Sequence, residues 1–132
     1  MKLYHLDWAR GYKHEFHSIL TFPGRESGDV LVEGDDVFDS AKTAFDFGFY
    51  VEVAEIDSDS PEYAFRYTQN IDEAWSDPPA EGVKPIGEGP FRSTSVGDLV
   101  EQDGVFKLVS SIGFKELKDF KPEPGSKPEG FF

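Results

Sequence analysis

Hydrophobic and polar positions recur at two periods along this chain, and the places where the period changes mark its elements. Over 2–8 the residues alternate between Leu3/His5/Asp7 and Tyr4/Leu6/Trp8, which predicts an opening strand with Tyr4, Leu6 and Trp8 inward. Arg10-Gly11-Tyr12 reads as a turn, and 14–22 as a second strand with Phe16, Ser18, Leu20 and Phe22 on one face. Pro23-Gly24 ends that run, and a polar loop continues to Gly34, interrupted by a short strand at 30–32. The period then lengthens. Val37, Phe38, Ala41, Ala44 and Phe45 form an apolar stripe at helical spacing behind an acidic cap at Asp35 or Asp36, with Gly48 as the stop. A strand over 49–56 places Phe49, Val51 and Val53 on one face. Ser60-Pro61 then opens a second helix, expected to reach about Gln69 with Ala64, Phe65 and Thr68 inward.

The stretch 92–117 carries the densest local signals. Val96-Gly97-Asp98 is a turn, because glycine accepts backbone angles that a Cβ forbids and aspartate folds back onto its own main chain. Asp103-Gly104 is the pair favoured in tight hairpins, and it separates Leu99-Val100 from the β-prone run Val105-Phe106-Lys107-Leu108-Val109. Gly113 interrupts the pattern as a bulge or close approach, and Phe114 and Leu117 follow as anchors of a third short strand. A hairpin plus one strand predicts a small curled sheet. The intervening 76–91, rich in Pro and Gly, reads as an ordered surface loop, and 118–132, with three prolines, as a mobile tail.

Two boxes in this half also carry a resemblance. Arg92-Ser93-Thr94-Ser95-Val96-Gly97-Asp98, followed by Gly113-Phe114-Lys115-Glu116-Leu117, resembles a motif of small uncharacterised proteins carried by phages and plasmids. Thr68-Gln69-Asn70-Ile71-Asp72, with Trp75 behind it, is similar to the box that precedes that motif in the same proteins. The C-terminal part is distantly similar to YodL-like domains. The resemblance covers roughly 64 to 117 and implies an accessory protein of a mobile element. It brings no catalytic residues with it.

Composition narrows the class. At 132 residues, 38% hydrophobic and with 13 Phe, the chain can bury a core as a single domain, expected over 1–117. The expected fold is α+β, with a mixed or antiparallel sheet, two helices and a C-terminal β-hairpin. Without cysteine, neither a disulfide framework nor a thiolate zinc site is available. No apolar run reaches the ~18 residues of a membrane helix, and the first residues carry no apolar leader, so a cytoplasmic protein is expected. The net charge of −13 is unevenly spread, at +2 over 1–25, −11 over 26–62 and −4 over 63–132. Direct nucleic-acid binding needs a basic stripe, whereas a basic protein surface suits such a chain.

The candidate chemistry is sparse. His5, His14 and His17 are the possible metal ligands, but on strands His14 and His17 would face opposite sides, so no metal or cofactor is expected. No nucleophile-elbow order appears, and Gly87-Glu88-Gly89 lacks the Lys and Ser/Thr of a phosphate loop, so the chain reads as non-enzymatic. Arg92, Ser95, Gly97, Asp98, Gly113 and Phe114 read as structural, Ser95 and Asp98 by satisfying backbone amides. Trp8 and Trp75 read as core. The acidic run is the functional candidate. Asp35, Asp36, Asp39, Asp46, Glu52 and Glu55, on the first long helix and its flanking strand, are the expected contacts to a basic host protein. Carboxylates so spaced can imitate a phosphate array, as a DNA-mimicking anti-CRISPR or anti-restriction inhibitor would. The competing reading is an adaptor that works through its C-terminal sheet and the 76–91 loop, with the acids serving solubility.

Overall fold

A computed structural model describes residues 1–11, 15–21, 29–111 and 113–123. It shows an α+β fold built on one mixed sheet of seven strands: β1 (Lys2–Leu6), β2 (Val30–Leu31), β3 (Tyr50–Ile56), β4 (Val83–Pro85), β5 (Leu99–Gln102), β6 (Val105–Ser110) and β7 (Gly113–Leu117). Their order is β2-β7-β6-β5-β1-β3-β4, with β2 parallel to β7 and every other neighbour antiparallel. The described helices are α1 (Trp8–Gly11), α2 (Glu15–Thr21), α3 (Asp36–Asp46) and α4 (Pro61–Arg66).

Neighbouring residues on a strand point to opposite faces, and each face builds its own core. On the first face α2 and α3 lie over Leu6, Tyr50, Leu99, Phe106, Leu108 and Leu117. On the second, α4 and Trp75 lie over Leu3, Val53, Ala54, Ile56, Val83 and Val100. The stripe expected on α3 is buried throughout, from Val37 to Phe45. Ser60 caps α4 by accepting from Tyr63 N at 3.2 Å. The hairpin turns as expected, with Asp103 at φ 52° and Gly104 at φ 84°, the double positive φ that matches the twist of paired strands.

Several expectations are corrected. Residues 15–21 form the helix α2, not a strand. Phe16 and Leu20 share parity but also sit four apart, so one helix face buries both while Ser18 points to solvent. His14 and Phe22 lie outside the described residues. The first strand stops at Leu6, and Trp8, at 40% exposure, starts α1, which also takes in the expected turn residues Arg10 and Gly11. Leu3, His5 and Leu6 are all buried because β1 is central and covered on both faces, which erases the alternation. On β3, Leu3 pairs with Ala54 and Tyr4 with Glu52, so Val53 is an extra residue. That bulge buries Val53 and Ala54 together and leaves Val51 47% exposed. α4 ends at Arg66 rather than Gln69, with Phe65 37% exposed.

The C-terminal strands are not a separate curled sheet; β5 pairs with β1 and joins them to the rest. Gly113 does not interrupt a strand but opens β7 opposite Ser110. The packed unit passes the expected boundary at 117, since Lys118 N donates to Leu31 O and Phe120 is buried against Phe38. Residues 124–132 of the expected tail lie outside the described residues. Both sheet margins are short: β2 has two residues, and β4 has three ending in Pro85.

A buried polar clasp and a candidate acidic docking face

The turn at Val96-Gly97-Asp98 brings one fully buried carboxylate under the middle of the sheet. Asp98 Oδ1 accepts from Leu6 N at 2.8 Å and Arg92 Nη2 at 2.6 Å. Its Oδ2 accepts from Arg92 Nη1 and Ser95 N, both at 2.8 Å. Arg92 Nη2 also donates to Leu6 O at 2.8 Å, and the guanidinium lies 4.1 Å from the Trp8 ring centroid. Four donors around one carboxylate replace the hydration lost on burial, and the fork geometry joins β1 to the start of β5. Gly97 is required by this turn. It has φ 97°, and a Cβ there would come within 3.1 Å of Leu20 O, while its own carbonyl accepts from Tyr50 Oη at 2.5 Å. Burial, and secondarily Asp98, pushes the Tyr50 hydroxyl well above its ordinary pKa.

A second chain of hydrogen bonds runs from His5 Nε2 to Thr94 Oγ1 at 2.8 Å and on to Thr68 Oγ1 at 2.7 Å. Thr68 donates its single proton to Ala64 O at 2.7 Å. Proton accounting then assigns the rest: Thr94 donates to Thr68, so His5 donates from Nε2. Burial lowers the His5 pKa to about 4, against the opposing pull of Asp98. The residues of the two sequence boxes meet here. Gln69 Nε2 donates to Thr94 O, Asn70 N to Ser93 Oγ, Asn70 Nδ2 to Phe91 O, and Trp75 Nε1 to Arg92 O. These hydrogen bonds of the clasp all run to other parts of the chain, which is the geometry of a structural joint.

The chain matches no family model, no curated protein and no solved structure.

The six acidic residues expected to act together are not brought together. α3 starts beside edge strand β2, where Asp35 N donates to Val32 O, and its far end feeds β3. Five strand spacings, roughly 24 Å measured across the sheet, separate β2 from β3. Asp36 and Asp39 are exposed at the first margin, where Asp35 and Asp39 accept from Val32 N and Gly34 N. Asp46 is buried at the end of α3, paired with Lys42 at 2.6 Å and accepting from Glu123 N. This bond raises the Lys42 pKa. Glu52 lies 3.9 Å from Lys2, and Glu55 sits directly opposite Lys2 and Lys84 on the neighbouring strands. Glu52 and Glu101 also flank Tyr4, whose pKa burial chiefly raises to about 12.

Among the described residues the exposed surface nonetheless carries an excess of carboxylates. Described ion pairs hold Glu52, Asp46 and Asp98, while Asp29, Glu33, Asp36, Asp39, Glu55, Asp57, Asp59, Glu62, Asp72, Glu73, Asp77, Glu81, Glu88, Asp103 and Asp119 are exposed. Sequence density along 26–62 marked the excess charge but not its spatial spread. Missed as well were Asp103 and Glu116, which the fold carries to the side of Asp29, Asp59 and Glu62 from distant segments. The described histidines, His5 and His17, belong to no cluster of possible metal ligands. His5 belongs to the clasp, and His17 on α2 leaves Nε2 buried without a partner among the described residues. Among the described residues no group of three or more His, Cys, Asp or Glu could hold a metal ion, and no helix is long and apolar enough to cross a membrane.

Proposed function

We propose that the chain is a non-enzymatic acidic accessory protein, of the kind phages and plasmids carry, that docks on a basic surface of a host protein. The role that suits it is inhibition of a nucleic-acid-handling defence enzyme, such as a CRISPR or restriction system, by standing in for the phosphate array. One observation carries the reading: fifteen exposed carboxylates stand outside the described ion pairs, so most of the chain's negative charge faces outward. Such a field speeds encounter with a basic partner and weakens with salt.

Affinity capture from the host at about 50 mM salt should recover a basic partner that is released at about 500 mM. Neutralising the exposed Glu33, Asp36, Asp39 and Glu55 as Gln or Asn should weaken capture while the thermal unfolding midpoint holds. A partner retained unchanged at high salt overturns the proposal. The uncovered half of the sheet's second face favours one further reading, an adaptor docking through the C-terminal strands, and retention at high salt is the outcome it predicts.

A further inference from the structure

α4 and Trp75 cover only part of the second face. Val100 on β5, Lys107 on β6, Glu116 on β7 and Val30 on β2 are successive cross-strand partners, so they form one row across that face. Val105 and Val30 are 44% and 49% exposed, and Phe114, on the same face, is half-buried. The start of α4 forms a wall along this row, making two adjoining hollows of about 290 and 350 Å³ that share Pro61, Lys107 and Glu116. Asp59 and Asp103 stand at the β5–β6 end, and Asp29 and Glu62 at the β2 end. The middle is occupied by the opposed pair Lys107 and Glu116.

Resting on the function proposed above, we infer that this trough is the docking site for a partner's basic segment, bound as an extended strand of side chains rather than as an added β-strand. Charge complementarity selects the occupant. Three strand spacings span roughly 14 Å, the length of about four extended residues. The ends, each with two carboxylates, take a Lys or Arg apiece. The balanced centre and the Val105 and Phe114 floor take apolar residues between them. A second copy of this chain, a nucleic acid or an anionic membrane would meet like charge at both ends.

The test is a nuclear magnetic resonance titration of the full chain with a capped peptide in which two lysines four positions apart, on one side of an extended chain, bracket three valines, against the same peptide with glutamates in place of the lysines. Shifts should centre on Val30, Val105, Lys107, Phe114 and Glu116 for the lysine peptide only. The rim variant Asp29→Asn, Asp59→Asn, Glu62→Gln, Asp103→Asn keeps side-chain shape and the Ser60–Glu62 hydrogen bond. It should weaken binding about tenfold or more. Equal neutralisation elsewhere, at Asp36, Glu73, Glu81 and Glu88, should cost less than about threefold. If the rim variant unfolds, Val30→Ser with Val105→Ser replaces it, with the same direction expected. Equal losses in both charge variants overturn the trough and leave the general acidic reading standing. A wild-type chain that ignores the lysine peptide at low salt overturns the trough, while salt-dependent capture from the host decides the broader reading separately.

Discussion

The clasp and the trough use the same functional group under opposite conditions. In the clasp, Asp98 is wholly buried, and four donors from Arg92, Leu6 and Ser95 converge on its two oxygens. In the trough, Asp29, Asp59, Glu62 and Asp103 stand in water. A carboxylate stripped of water must have its donors supplied by the fold, so it is committed to holding that fold together. A hydrated one contributes little to folding and remains available to another molecule. Acid content alone says nothing about which role a residue takes; the supply of donors does.

Breaking that contrast at its strongest point means removing the buried partner. Asp98→Ala leaves Arg92 without its carboxylate and Leu6 N without an acceptor, and should destabilise the domain by about 3–5 kcal/mol in urea unfolding. A loss under about 1 kcal/mol would mean the clasp is ornamental. The next effect is on pH. Because the folded-state pKa of His5 lies below its ordinary value of 6.5, at about 4, folding favours the neutral ring. The stability it represents is intact above pH 6.5 and is lost as pH falls from there toward about 4, by about 3 kcal/mol in all. Stability measured across that window should slope down with acid, and His5→Gln, which retains a donor toward Thr94, should flatten the slope. At the small end, Asp36→Asn with Glu55→Gln should change stability by no more than about 0.5 kcal/mol in the same urea assay. A larger loss would erase the distinction between the two kinds of carboxylate.

Elements whose signal is local were legible from the sequence. The α3 stripe, the Ser60-Pro61 helix start and the Asp103-Gly104 hairpin all depend on residues within a few positions of one another. The structural role of Ser95 and Asp98 was legible as a turn, but not its main partner, because Leu6 is 92 positions away from Asp98. α2 was misread because two apolar residues four apart satisfy both periods in so short a segment. The acidic run misled for a different reason: between Asp36 and Glu52 the chain crosses from one sheet margin toward the other, so neighbours in sequence part company in space. Conversely, the trough draws its rim from three separated stretches, at 29, 59–62 and 103, and the acid-dense run does not show which of its members meet Asp103 in space.

The brevity of the outermost strands carries a consequence for how these molecules live in a crowd. With two residues in the described edge strand at one end of the sheet, and three closed by an imino acid at the other, each of these strands offers a stray copy only a very short run of main-chain groups to zip onto. Concentrated solutions should accordingly stay clear, held apart by mutual repulsion and free of fibrillar seeds.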